Sequence, residues 1–103
     1  PRPSLAGWLV LQVPARALLE GDALQLRCRG WKGTQVAQTQ FFHEQKVLGG
    51  PSQRAELLLP SLQLHHSGRY RCQATVTRLL SRWNERSAPE TVTVQGGSLL
   101  PSA

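Results

Sequence analysis

Cys28 and Cys72, with Tyr70 two positions before the second cysteine, constrain this chain more than any other feature. A bond between them closes a loop of 44 positions. Loop-closure entropy gives such a bond roughly 4 kcal/mol, a large share of the about 5–15 kcal/mol that holds a small domain folded. It also requires an oxidising compartment. Tyr70 and Cys72 stand two apart, so on a strand they point to the same face.

The residues around this trio alternate with a period of two, in short runs separated by turn residues, which is an all-β pattern. Trp8 to Val13 reads as a first strand, stopped by Pro14. Leu24, Leu26 and Cys28 alternate with Gln25, Arg27 and Arg29, as expected of a half-buried strand with the arginines outward. Further strands are expected over Thr39–His43, Gln45–Leu48, Ala55–Leu59, Arg69–Val76 and Thr91–Gln95. Tyr70, Cys72 and Ala74 then face inward, with Leu57, Leu59 and Leu62 as further core residues. Gly49-Gly50-Pro51 reads as a turn, and Ala15–Glu20 and Leu62–His66 as single turns. Of the neighbours Phe41 and Phe42 only one can face the core, and Phe41 is expected there.

Seven short strands carrying a Cys…Tyr-x-Cys set resemble an immunoglobulin-like two-sheet sandwich, in which strand B and strand F are joined by a disulfide. The fold class that follows is all-β, with Cys28–Cys72 as the B–F bridge and Tyr70 bonding back to the backbone at the corner before strand F. At 103 residues the chain holds one such domain. It is expected over 8–95, with a linker at 1–7 and a linker or added tail of Gly/Ser/Pro composition at 96–103. The chain has no methionine and so reads as a piece of something longer. No apolar run approaches the ~20 residues that span a bilayer, so any membrane anchor is expected outside this piece.

Catalytic chemistry finds no foothold. His65 and His66 are adjacent on a turn and expected to point apart, while His43 sits on a strand, and both cysteines are already used. No zinc set, no cofactor and no other metal site is expected. Ser67 lacks a nucleophile-elbow sequence, and the carboxylates show no paired spacing. The formal charge of +6 is high for the length. Its arginines and lysines are scattered, and no RNA-binding motif accompanies them, so nucleic acid is not an expected partner. A solvated basic surface explains the charge; a polyanion-binding face built from Arg69, Arg71, Arg78, Arg82 and Arg86 is the alternative.

Three tryptophans stand away from the usual core position: Trp8 at the first strand, Trp31 three residues past Cys28, and Trp83 in what reads as a loop before the last strand. Gly7-Trp8-Leu9-Val10-Leu11-Gln12, Leu19-Glu20-Gly21-Asp22 and Leu26-Arg27-Cys28-Arg29-Gly30-Trp31-Lys32 resemble the second extracellular domain of the immunoglobulin Fc receptors, and still more that of the Fc receptor-like proteins. The resemblance spans Trp8 to Gln95. It implies that Trp8 and Trp31 hold a proline of the antibody Fc between their rings. It also implies that the B–C loop (Trp31–Gln35), the C′ region (Lys46–Gly50) and the F–G loop (Thr77–Arg86) carry the contacts. The candidate ligand-binding residues are therefore Trp8, Trp31, Lys32, Lys46, Arg78, Arg82, Trp83 and Arg86. His66 stands where related domains have an aspartate, so an ion pair at that corner is expected to be absent or pH-dependent. The expected partners are a protein ligand, with immunoglobulin as the leading candidate, and neighbouring immunoglobulin domains of one receptor on the extracellular side of the plasma membrane. A spacer or adhesion domain, whose tryptophans pack on a neighbouring domain, remains the other reading.

Overall fold

The computed structural model describes residues 7–96, so the expected linker and tail fall outside it apart from Gly7 and Gly96. The strands are β1 (Leu9–Gln12), β2 (Ala17–Leu19), β3 (Leu24–Gly30), β4 (Gln35–His43), β5 (Lys46–Ser52), β6 (Glu56–Leu59), β7 (Gly68–Arg78), β8 (Ser81–Arg86) and β9 (Glu90–Gln95). One sheet has the order β1-β3-β6; the other runs β2-β9-β7-β4-β5, with β8 also on β7. This is the immunoglobulin-like sandwich.

Period-two burial forms its core. Leu24, Leu26 and Cys28 of β3 are buried between exposed neighbours, and Tyr70, Cys72, Ala74 and Val76 of β7 answer them from the facing sheet. Leu9, Leu11, Phe41, Leu62, Val92 and Val94 complete the layer. Each large apolar side chain so buried contributes about 1.5–3 kcal/mol. Cys28 and Cys72 are bonded across the sheets with Cα atoms 6.1 Å apart. Phe41 faces inward and Phe42 outward, as alternation requires.

Four local expectations are corrected. Ala17–Leu19 is a strand rather than part of a turn: it pairs in parallel with Thr93–Gln95, and this long-range ladder supplies the order that its own pattern lacks. Gly49, Gly50 and Pro51 lie within β5 instead of ending it. Gly50 takes φ +97 where the register between β4 and β5 shifts, and a Cβ there would overlap the Thr39 carbonyl, so its glycine serves close strand approach. Leu57 and Leu59 pack on the core only as partly buried residues, whereas Leu62 is fully buried. Residues 78–86 are no loop: β8 folds back on β7 through a two-residue turn, with Arg78 paired to Ser81 and Thr77 to Arg82.

The edge strand is broken beside the disulfide. Gln73 pairs with Arg86 on β8, but Tyr70 pairs with Glu90 on β9. One extra residue must therefore be absorbed, and buried Ser87 absorbs it. Its N–H donates to the Cys72 carbonyl at 2.8 Å, and its hydroxyl accepts the Cys72 N–H at 2.9 Å. The backbone of the bridged cysteine thus stays satisfied although the strand ladder is interrupted.

At the opposite end of β7 the Tyr70 hydroxyl donates to the His66 carbonyl within a single 3-10 turn, Leu64–His66. The His66 ring closes that turn by accepting the Gln63 N–H on Nδ1 at 2.8 Å. No aspartate–arginine pair is needed there; the ion pairs among the described residues are Arg16–Glu90 and Arg27–Glu56. Partial burial, then the neighbouring His65 and His43, hold the His66 pKa below its usual 6.5. The folded domain consequently binds fewer protons than the unfolded chain just below that value. Its contribution is complete above pH 6.5 and is lost as the pH falls through the lowered folded pKa. Urea midpoints are expected to fall between about pH 7 and about pH 5, and His66→Gln, which keeps an acceptor for the Gln63 N–H, is expected to remove this part of the slope.

Candidate functional site

One end of the sandwich collects most of the expected contact residues. β3 runs out through Gly30 into the turn at 31–34, where the Thr34 N–H and hydroxyl both donate to the Trp31 carbonyl. Gly30 allows this tight return, since a Cβ would press on Thr34 and Val36. Gln35 pairs with Thr77, so the β7–β8 hairpin tip lies at the same end. The Trp31 N–H donates to the Trp8 carbonyl at 2.9 Å, extending the β1–β3 ladder and placing the two tryptophan backbones side by side.

Their side chains have different surroundings. Trp31 is 48% exposed with its backbone fixed. Trp8 is half-buried, and its ring meets the edge of Trp83, with centroids 5.6 Å apart and planes at 72°. The Arg78 guanidinium lies 5.4 Å from the Trp8 ring centroid, within cation–π reach. Trp83 is not a loop residue: it sits on β8, packs against the core and donates its indole N–H to Glu85 at 2.9 Å. The result is a braced aromatic platform, Trp83–Trp8–Arg78, with Trp31 beside it in solvent.

Two residues of the expected F–G contact region that were not singled out by name belong to this end. Leu79, at φ 56, and Leu80 form the hairpin turn and are 85% and 102% exposed. Two adjacent leucines in solvent are an apolar tip with nothing of the described chain to cover it. Their only signal was the break in alternation between Thr77 and Arg82, without the glycine or asparagine that usually marks a two-residue hairpin.

Lys32 is exposed in the 31–34 turn, and Arg82 projects from the outer face of β8 near the tip. Lys46 and Arg86 are elsewhere. Lys46 pairs with His43 at the far end of the sheet, and Arg86 lies at the inner end of β8 opposite Gln73. The structure therefore gathers Trp8, Trp31, Lys32, Arg78, Arg82 and Trp83, and leaves Lys46 and Arg86 apart from them.

The His65 and His66 rings do not point apart; they lie 4.3 Å from each other, tilted by 42°. Among the described residues no group of three or more His, Cys, Asp or Glu side chains is placed to hold a metal. His43 stacks on Tyr70 and bonds the Ser67 carbonyl through Nε2 at 2.8 Å, a packing role. This end of the sandwich thus presents flat rings, an apolar tip and flanking cations.

The immunoglobulin domain family model matches residues 8–94. The low affinity immunoglobulin gamma Fc region receptor II of Mus musculus is 34% identical over 92 residues, covering 89% of this chain and 27% of the receptor. Receptor III-A of Felis catus is 36% identical over 90 residues, covering 87% of this chain and 34% of the receptor. Fc receptor-like A of Rattus norvegicus is 34% identical over 88 residues, covering 85% and 25% respectively. The chain thus spans about a quarter to a third of the length of these relatives. Among solved structures, the second Ig-C2 domain of human Fc-receptor like A superposes with a TM-score of 0.66 at 19% identity, over 85% of this chain and 96% of that one.

Proposed function

Residues 8–94 belong to the immunoglobulin domain family, and from that membership we propose that the domain is a non-catalytic ligand-binding module of an immune receptor, recognising immunoglobulin Fc through its tryptophan end. The carrying observation is the pairing of an exposed Trp31 with a braced Trp8 on one backbone ladder. Indoles bury a large area at little entropic cost, having only two rotatable bonds each. Bracing by Trp83 and Arg78 reduces that cost further for Trp8. Relatives that carry immunoglobulin Fc in their names support the class of ligand. The bridge between Cys28 and Cys72 suits the extracellular side of a cell, where oxidising conditions keep it intact.

The test is a panel of purified immunoglobulin classes against this chain and its Trp31→Ala variant. Central aromatic anchors are worth about 2–4 kcal/mol each, so the variant is expected to bind at least about 30-fold more weakly to the class recognised. Because Trp31 is half exposed, its unfolding midpoint stays near that of the wild type. Equal binding by both proteins would remove the reading. The second reading is a spacer whose apolar end, Leu79 and Leu80 included, packs on a neighbouring domain. It is the result if this chain binds no class while a longer piece of the receptor does.

A further inference from the structure

The outer face of the larger sheet carries a second surface, at the end away from the tryptophans. Along β7, Arg71 and Arg78 are seven residues apart, roughly 23 Å at strand rise. A groove of about 410 Å³ opens there between Phe42, Glu44, Gln45, Arg69, Arg71 and Arg86. Phe42 is half-buried in it and pairs with Arg71 on one side and Val47 on the other. Val47 is 55% exposed, so an apolar strip runs from the sheet edge to the arginines. Arg86 joins them through its pairing with Gln73, which puts it diagonally across from Arg71.

Three arginines against one carboxylate leave this groove net positive. The ion pairs among the described residues involve Arg16 and Arg27, not Arg69, Arg71 or Arg86. The one lining carboxylate, Glu44, is engaged with backbone: its Oε2 accepts the Arg69 N–H at 2.9 Å. Arg86 donates only a long bond, 3.4 Å, to Gln73. Guanidinium groups offer paired donors suited to carboxylates, while Phe42 and Val47 ask for an apolar side chain next to them.

We infer that this groove docks an acidic segment of a partner protein, one in which carboxylates flank an apolar side chain. Carboxylates meet Arg71 and Arg86, and the apolar side chain lies along Phe42 and Val47. A sulfated glycan fits less well, because it has nothing to lay along the apolar strip of Phe42 and Val47. The surface is separate from the tryptophan end, so the two can be engaged together.

The test titrates the isotope-labelled chain with three nine-residue peptides and a heparin-derived hexasaccharide, following backbone amide resonances. The peptides alternate glutamate with leucine, glutamine with leucine, and glutamate with glycine. The glutamate–leucine peptide is expected to shift Phe42, Arg71 and Arg86 but not Trp31. It is expected to bind at least tenfold more tightly than either of the other two peptides. Arg71→Gln with Arg86→Gln should weaken it at least tenfold, and the single exposed change Arg86→Gln several-fold, with thermal midpoints checked for each. Equal binding of the glutamine peptide, or of the glycine peptide, overturns the inference. Tighter binding of the hexasaccharide overturns it in favour of a polyanion surface.

Discussion

Replacing Cys28 and Cys72 together by alanine is expected to lower the unfolding free energy by about 4 kcal/mol, the chain-entropy value for a loop of this length. Both sulfurs are buried between the sheets, so the loss of packing adds to the entropic term rather than offsetting it. The bridge joins the middle of β3 to the middle of β7, and cutting it frees the unfolded chain to explore conformations that the bond forbids. Against a total of about 5–15 kcal/mol for a domain of this kind, that loss is between roughly a quarter and most of the stability. With 1 kcal/mol worth about 4–8 °C at this size, the thermal midpoint should drop by roughly 15–30 °C. Urea unfolding of wild type, double variant and reduced wild type checks it. A double variant within about 1 kcal/mol of wild type would mean that the sheets hold together without the bond.

Tyr70→Ala is expected to cost about 3–5 kcal/mol, the range for deleting a buried aromatic ring. The side chain is 0% exposed, the largest of the fully buried set, and stacks on His43 with centroids 4.6 Å apart. Tyr70→Phe separates the two parts of its role. That change keeps the ring and removes only the bond to the His66 carbonyl, for about 1–2 kcal/mol. Burial, and then the charge of Glu44, pushes the hydroxyl up to about 12, so it remains a protonated donor throughout the neutral range. Both variants are read by denaturant midpoints at pH 7.5. Equal losses in Tyr70→Ala and Tyr70→Phe would place the whole effect on the hydrogen bond and none on the ring.

The elements legible from sequence are those whose side chains alternate between core and solvent. β3, β7 and β9 announce themselves because each buries every second residue, and the same rule separates Phe41 from Phe42. β2 is not legible, because three residues with Leu18 half-buried between exposed neighbours carry no periodic signal and take their order from β9. Gly49-Gly50-Pro51 has turn composition, yet the glycine is there to let two strands approach. The hairpin at 78–86 is hidden for the opposite reason, since leucines fill a turn where glycine or asparagine is usual. At the candidate site, motif resemblance marks Trp8 and Trp31 as neighbours. The contact between Trp8 and Trp83 is invisible to it, because it is made by packing between the two sheets at their shared end.

Ser87 gives the edge of the larger sheet a joint. On one side of it β9 is locked to β2 and the first residues of β7; on the other, β8 pairs only with β7 and is braced across the sheets by Trp83 against Trp8. The Cys72 backbone bonds made by Ser87 pin that joint to the disulfide. Everything beyond is a lever arm with Leu79 and Leu80 at its end. Lengthening or shortening the turn beyond Trp83 moves the tip relative to the Trp31 backbone without disturbing the pairing of β9. The reach of this apolar tip is thereby adjustable independently of the framework that carries it.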